Sequence, residues 1–213
     1  MINRSDFLTK DKSLFYYGRL YHKLFDGELA DAREIVVDLV DEGSSVLDIA
    51  CGTGELCFVL KAKKNCRVTG IDLSLRQLRF AQKSNSYDDI KFLHMDATNL
   101  VDIEDHSFNY ATMLMFVHEL TKDQQAQVLK EASRVANKII IIDSHVPLPK
   151  SFRGRAIRFV EATFGRDHQK NFKNFLANNG INGVLEHAGL PLTVVNRSLF
   201  WHDCREAVTL STR

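Results

Sequence analysis

The feature that most constrains this chain is the alternation of short β-rich runs with amphipathic helical segments. The strand candidates are residues 45–50, 67–72, 90–94, 108–115 and 138–143, and helical patterns lie between several of them. Two helices are predicted to open with capping boxes, at residues 74–77 and 121–124. Such alternation predicts βαβ units and a parallel sheet covered on both faces. Because crossovers are right-handed, the sheet should be doubly wound.

The last part of the chain follows a different pattern. Two strand-like runs, residues 192–200 and 204–211, are separated by only three residues. Such a short connection means a hairpin, so one of these strands must be antiparallel. The predicted fold class is therefore α/β: a doubly wound, mostly parallel seven-stranded sheet with an antiparallel C-terminal hairpin strand. We expect one domain over residues 1–213, with residues 1–42 as an N-terminal helical cap and 145–179 as an inserted helical lid.

Composition argues against several classes of protein. The 213 residues carry 28 Lys and Arg against 27 Asp and Glu, so no basic excess favours a nucleic-acid partner. No apolar run approaches the roughly 20 residues of a membrane span, and from the polar N-terminus we expect no signal peptide. The four cysteines form no CxxC pair and no zinc-type spacing with histidine. We expect a cytoplasmic protein with reduced thiols, no metal and no transmembrane segment.

A glycine-containing turn follows the first predicted strand. The stretch Asp48-Ile-Ala-Cys-Gly52-Thr-Gly54 links that strand to a helix, and its glycines permit a tight turn and close approach of a ligand. Asp72 ends the second strand, 20 residues after Gly52, where a carboxylate can accept two hydrogen bonds from a ribose diol. Asp96 follows the third strand, where it could meet an adenine edge. In such sheets ligands bind beyond the carboxyl ends of the strands, so these residues predict a nucleoside site.

These segments resemble the class I S-adenosylmethionine-dependent methyltransferases. The matching stretches are VLDIACGTGEL (46–56), GIDLS (70–74), FLHMDATNL (92–100) and FNYATMLMFVHEL (108–120). The resemblance covers roughly residues 16 to 212, including the C-terminal hairpin, and is nearest to the small-molecule group that methylates quinone precursors. It implies S-adenosyl-L-methionine as the cofactor.

The resemblance also implies particular cofactor-binding residues. These are Tyr17, Asp48, Ala50, Gly52, Gly54, Asp72, Leu73, Asp96, Ala97 and Met113. Asp48 and the two glycines would shape the pocket around the methionine moiety, with Met113 nearby. Asp48 would either orient the loop or meet the amino group of the cofactor.

The remaining implied contacts concern the nucleoside. Asp72 would bind both ribose hydroxyls, and Leu73 would pack against adenine. Asp96 would accept from the adenine amino group, and the Ala97 N–H would donate to a ring nitrogen. Purely structural roles stay open: a tight turn for the glycines, a helix cap for Asp72, a turn for Asp96 and core packing for Met113.

A dinucleotide-binding fold is the nearest competitor. Its Gly-x-Gly-x-x-Gly fingerprint needs a third glycine where this chain has Cys57. Cysteine there hinders close helix–strand packing and leaves less room for a pyrophosphate. The dinucleotide interpretation is therefore disfavoured.

Some acceptors are also disfavoured. Methylases that act on amino groups of bases or glutamine resemble one another in a proline-containing turn after the fourth strand, and residues 112–116 of this chain contain no proline. RNA C5-methylases use a cysteine near the same strand, and this chain has no cysteine between Cys66 and Cys204. A small, partly apolar metabolite is the expected acceptor, and a homodimer is possible. His118 and His168 are candidate catalytic bases, or ordinary hydrogen-bonded histidines. A catalytically silent S-adenosylmethionine-binding protein and a protein or RNA methyltransferase remain the alternatives.

Overall fold

The computed structural model describes residues 18–212, with their side chains from residue 29 onward. Within that range the strands are Ser45–Ile49 (β1), Arg67–Asp72 (β2), Lys91–His94 (β3), Phe108–Leu114 (β4), Ala136–Ser144 (β5), Thr193–Phe200 (β6) and Arg205–Ser211 (β7). The α-helices are Gly18–Leu39 (α1), Glu55–Lys64 (α2), Leu75–Ser84 (α3), Lys122–Val135 (α4), Phe152–Glu161 (α5), Arg166–Ala177 (α6) and Gly180–Ala188 (α7). Short 3₁₀ turns follow β4 at Val117–Glu119 and α5 at Ala162–Phe164.

The strands form one sheet in the order β3-β2-β1-β4-β5-β7-β6. Strands β1 to β5 are parallel to one another, whereas β7 is antiparallel to both β5 and β6. The predicted doubly wound sheet with an antiparallel C-terminal hairpin strand is confirmed. Strand order reverses between β1 and β4, so the carboxyl ends of these two strands flank the crevice where such folds bind ligands.

Both faces of the sheet are covered by helices. The four isoleucines at 139–142 in β5 are at most 1% exposed, as expected for a central strand buried on both sides. One core cluster joins the sheet to α4, α6 and α7 through residues such as Leu129, Phe175 and Ile181. The other joins it to α1, α2 and α3 through residues such as Val36, Leu60 and Leu78.

Both predicted helix starts are confirmed, but only the second of the two predicted capping boxes is complete, because Gln77 Oε1 makes no hydrogen bond within the described residues. The Ser74 hydroxyl accepts a hydrogen bond from the Gln77 backbone N–H at 3.2 Å and caps α3. At α4 the reciprocal capping box is complete, because Thr121 and Gln124 each bond the other's backbone N–H. Each satisfied cap typically stabilises its helix by about 1 kcal/mol.

The segment after β5 is anchored to the rest of the domain. Phe175 of α6 lies in the main core, and Ile157 of α5 packs with Leu148, Phe172 and Cys204 in a smaller cluster. All four cysteines are buried and free, as predicted. Along residues 18–212, no helix combines the length and apolar character that crossing a membrane needs.

Candidate functional site

The loop after β1 turns sharply at the strand's carboxyl end. Ala50, Gly52 and Gly54 all have positive φ, at 59°, 55° and 82°, and Gly54 caps the start of α2. The Cys51 N–H donates to the Ile71 carbonyl at 2.9 Å, which ties the loop to β2. The backbone therefore changes direction within five residues beside the switch point of the sheet.

The two glycines of the loop have different surroundings. A Cβ atom on Gly54 would lie 2.8 Å from the Phe92 ring and 3.1 Å from the Ala81 Cβ, so close packing requires glycine there. A Cβ atom on Gly52 would meet nothing within 4 Å. The Gly52 backbone thus faces open space, which a ligand can approach closely.

Asp72 at the end of β2 connects this loop with the next one. Its Oδ2 accepts from the Gly52 N–H at 2.9 Å, and its Oδ1 accepts from the Ser74 N–H at 2.7 Å. The carboxylate is only part-buried, and each of its oxygens has a second lone pair. It can therefore keep both backbone bonds and still accept from a diol. The carbonyl of the adjacent Leu73 bonds His94 Nε2 at 3.0 Å, which fixes the start of that loop.

Asp48 lies beneath the loop rather than on its surface. It is 2% exposed, and its two oxygens accept from Thr112 Oγ1 at 2.8 Å and from Cys57 Sγ at 3.4 Å. Burial raises the pKa of Asp48 to about 7, although both hydrogen bonds act to lower it. Because it ties β1 to β4 and α2, its geometry supports the loop-orienting role of the two that the resemblance implies.

The other predicted cofactor residues are placed differently. Oδ1 of Asp96 accepts both hydrogen bonds from Thr98, so among the described residues Oδ2 can still accept from a ligand. Ala97 beside it is 7% exposed. Met113 is 1% exposed and packs in the core, so the structure does not bring it to the surface of the loop. Tyr17 lies outside the described residues.

A cavity of about 370 Å³ opens past the carboxyl ends of β4 and β5. It is bounded by α1, α5 and the turn between β6 and β7, and its walls are mostly apolar. We call it the acceptor pocket, after the acceptor expected from the sequence; among its lining residues are Met115, Ile142, Ile157, Phe164, Phe200 and Trp201. Its volume falls within the about 300–1,000 Å³ typical of small-molecule sites.

Three polar side chains converge on one wall of the acceptor pocket. His118 comes from the turn after β4, Glu161 from the end of α5 and His168 from α6. Glu161 Oε2 lies 2.6 Å from His168 Nε2 and 3.5 Å from His118 Nε2. We call these three residues the His–Glu–His cluster.

Asp143 is hydrogen-bonded to both the ring and the backbone of His118. Its Oδ1 lies 2.7 Å from His118 Nδ1, and its Oδ2 accepts from the His118 backbone N–H at 3.1 Å. Phe172 and Phe175 pack edge-on against the His118 ring, with ring centroids 5.5 and 6.3 Å away. The His118 ring is therefore fixed in orientation as well as in position.

Electrostatics within the cluster are strongly perturbed. Burial alone would lower the pKa of His118, but Asp143 and Glu161 outweigh it and raise that pKa well above its usual range. Burial would raise the pKa of Glu161, yet its bonds to His118 and His168 bring the net pKa well below the usual range. Asp143 and Glu161 thus stabilise the charged form of His118, and the two histidines stabilise the charged form of Glu161.

Cationic side chains lie on another part of the pocket wall. Arg153 and Arg205 both stand over the Trp201 ring, with guanidinium carbons 5.9 and 5.4 Å from its centroid. Arg205 also donates to the Ser144 hydroxyl. The acceptor pocket therefore combines an apolar interior, the His–Glu–His cluster and two arginines.

Sequence reasoning found the two histidines but missed their carboxylate partners. Asp143 ends the predicted fifth strand, and that position alone could have marked it as a residue at the ligand edge of the sheet. Glu161 offered no such signal, because it is one acidic residue at the end of a helix. Only the packing of α5 against α6 brings it between His118 and His168.

Part of the chain matches a known protein family. Residues 46–138 match the family model of a methyltransferase domain. A demethylmenaquinone methyltransferase from Bacillus licheniformis is 29% identical over 145 residues, which cover 64% of this chain and 61% of that protein. The match therefore spans less than two thirds of that relative's length.

Solved structures share the fold at low sequence identity. A protein from Pyrococcus horikoshii superposes with a TM-score of 0.69 at 19% identity, over 91% of this chain and 98% of its own. The geranyl diphosphate C-methyltransferase from Streptomyces coelicolor, solved with Mg²⁺, geranyl-S-thiolodiphosphate and S-adenosyl-L-homocysteine, has a TM-score of 0.62 at 12% identity. That superposition covers 86% of this chain and 76% of the other. Over residues 46–138 the chain thus matches a methyltransferase domain, and over most of its length it shares the fold of these solved structures.

Proposed function

We propose that the protein transfers a methyl group from S-adenosylmethionine to a small, partly apolar acceptor held in the acceptor pocket. The observation that carries this proposal is the placement of two binding features on one edge of the sheet. The loop after β1 and the pocket past β4 and β5 lie side by side, because β1 and β4 are neighbouring strands. A cofactor in the crevice can thus direct its methyl group towards the pocket.

On this proposal the nucleoside half of the cofactor lies along the ends of β2 and β3. Asp72 binds the ribose hydroxyls while it keeps its bonds to the Gly52 and Ser74 N–H groups. Leu73 packs against the adenine ring, and Asp96 accepts from the adenine amino group. Hydrogen bonds to a carboxylate contribute about 1.5–3 kcal/mol each, so Asp72 should dominate the polar part of the affinity.

The methionine half lies over the loop after β1. Ala50, Gly52 and Gly54 leave room for it, since the Gly52 backbone borders open space. Asp48 holds the loop from beneath through Thr112 and Cys57. A contribution from Tyr17 stays a prediction.

The reaction requires the protein mainly to align the cofactor with the acceptor. Methyl transfer from a sulfonium is an in-line displacement, and the cofactor supplies most of the reactivity. Holding two reactants in line can contribute up to roughly 7–11 kcal/mol. Residues 145–179 supply α5 as the roof of the pocket, and residues of α1 such as Leu29 and Ala32 close another side. We propose these segments as the lid and cap of the active site.

We assign His118 and His168 to the acceptor rather than to the cofactor. Both line the acceptor pocket, and the His168 side chain is 12% exposed against 3% for His118. His168 is therefore the better placed of the two to touch an acceptor group. His118, whose two ring nitrogens face Asp143 and Glu161, acts as a positioning residue.

The chemistry of the pocket narrows the acceptor class. Its apolar walls favour a ring or short hydrocarbon group, and Arg153 and Arg205 suit an anionic or phenolic substituent. The name of the Bacillus licheniformis relative, a demethylmenaquinone methyltransferase, makes a demethylated naphthoquinol the first compound to test.

The test uses labelled S-adenosylmethionine with the full chain, a naphthoquinol panel and a fractionated small-molecule extract. We expect label in a small apolar product, and loss of that product when Ala156→Trp fills the pocket while cofactor binding persists. Tight cofactor binding with no labelled product from any fraction would favour the catalytically silent alternative. Label in protein or RNA alone would favour the macromolecular alternative.

A further inference from the structure

We propose that the His–Glu–His cluster binds one divalent transition-metal ion at the wall of the acceptor pocket. The ligands are Nε2 of His118, Nε2 of His168 and a carboxylate oxygen of Glu161. Binding of the ion does not depend on the proposed methyl transfer. Only the effect of the ion on a methyl acceptor rests on that proposed function.

The ligand atoms have the spacing and chemistry that such an ion needs. The three donor atoms lie within 4.8 Å of one another. Metal bonds to histidine nitrogen and carboxylate oxygen are about 2.0–2.2 Å long, so ligand atoms around one ion stand roughly 3–4 Å apart. The 3.5 Å between His118 and Glu161 already fits, and the 2.6 Å between His168 and Glu161 needs only a slight opening. Two imidazoles and one carboxylate suit zinc and iron(II), with positions left for other ligands.

A supporting carboxylate is already in place. Metal-binding histidines commonly donate their other ring N–H to a carboxylate, which fixes the tautomer and turns the free lone pair towards the ion. Asp143 stands 2.7 Å from His118 Nδ1, so donation from Nδ1 leaves Nε2 as the ligand atom. Asp143 is itself held by the backbone N–H groups of His118 and Ser144. This support lies on the far side of the ring from Glu161 and His168.

The surroundings of the cluster also suit an ion. Asp143 and Glu161 are 0% and 6% exposed, so two carboxylates lie in a buried setting that stabilises a cation. The cluster also lines the acceptor pocket, so the open coordination positions face the space where an acceptor would bind. Open positions are typical of catalytic rather than structural metal sites.

An ion at this position would assist the proposed function. An acceptor hydroxyl that coordinates it would lose its proton more readily, because a bound cation lowers the pKa of an oxygen ligand. The three ligands come from separate elements, which explains why their spacing along the chain resembles no metal-binding motif.

The test is titration of the chelator-treated full chain with Zn²⁺ by calorimetry, and with Co²⁺ by visible absorption. We expect one ion per chain, a rise in melting temperature, and Co²⁺ bands typical of mixed nitrogen and oxygen ligation. His168→Ala and Glu161→Gln should each weaken Zn²⁺ binding by at least about 100-fold, since even outer-sphere partners contribute 10–100-fold. His187→Ala is the matched control, because His187 also stands beside a carboxylate, 3.4 Å from Asp123 on the surface.

The outcomes separate this inference from the proposed function. S-adenosylmethionine binding, measured on the same samples, reports whether each variant is folded and whether the cofactor site is intact. No stoichiometric Zn²⁺ binding by the wild type, or equal binding by the His168→Ala and Glu161→Gln variants, would overturn the metal site even if methyl transfer were observed. Zn²⁺ binding lost in both variants and kept in His187→Ala supports it even if no acceptor is found.

Discussion

Asp48 offers the sharpest physical test of the loop's architecture. Its carboxyl group is buried beneath the loop after β1, where Thr112 and Cys57 donate to it. The Asp48→Asn substitution keeps the shape and leaves an oxygen for Thr112, but it removes the ionisable group. The variant therefore isolates the cost of placing a charge at this position.

The magnitude follows from the raised pKa. Burial raises the pKa of Asp48 from 3.8 to about 7, so ionisation is harder in the folded state than in the unfolded one. The resulting penalty is absent below about pH 4, grows as pH rises and levels off above about pH 7. It amounts to about 1.5 kcal/mol at pH 5 and about 4 kcal/mol at pH 8. The wild type should thus lose about 2.5 kcal/mol relative to Asp48→Asn between these two pH values.

Urea denaturation at pH 5 and pH 8 measures this difference in the free energy of unfolding. The exposed Asp88 supplies the control, because Asp88→Asn makes the same chemical change at the surface of the protein. If the gap between wild type and Asp48→Asn stayed constant from pH 5 to pH 8, the argument for a buried carboxyl of raised pKa would be wrong.

Further predictions concern the cofactor, the loop and the pocket. Asp72→Asn should weaken S-adenosylmethionine binding about tenfold or more in calorimetry, because the hydrogen bonds to the ribose lose a charged acceptor, whereas Asp88→Asn should leave it unchanged. Gly54→Ala should lower the free energy of unfolding by about 2–4 kcal/mol, through backbone strain and contact with the Phe92 ring. Gly52→Ala should lower it by only about 1–2 kcal/mol, because the added Cβ atom meets no neighbour and only the strain remains. Equal losses would contradict the packing argument. Ala156→Trp should raise the acceptor KM with unchanged cofactor affinity, and a parallel loss of both would mean that the pocket belongs to the cofactor.

Much of the fold could be predicted because local sequence and long-range packing agree. The run of β-branched residues at 138–143, the capping boxes at 74–77 and 121–124, and the short hairpin connection each specify one element. The sheet then follows from the handedness of βαβ crossovers. The predicted boundaries differ by one or two residues; β5, for example, extends to Ala136–Ser144 because its ends pair with β4 and β7.

The site could be predicted only where one strand end determines it. Asp72 ends β2 and the glycines follow β1, so the sequence pattern by itself places them at the carboxyl edge of the sheet. Glu161 and Asp143 act through partners 7 to 43 residues away along the chain, and Glu161 lies between its two partners only because α5 packs against α6. Met113 lies on β4 as predicted, but its side chain packs in the core, which is the structural role left open for it from the sequence.

The most direct test of the whole account is a crystal structure of the full chain with bound S-adenosyl-L-homocysteine. We predict that the ribose hydroxyls lie within hydrogen-bond distance of Asp72 and that the sulfur points towards the pocket bounded by His118 and His168. A nucleoside bound elsewhere, or a sulfur directed away from that pocket, would contradict the proposed methyl transfer.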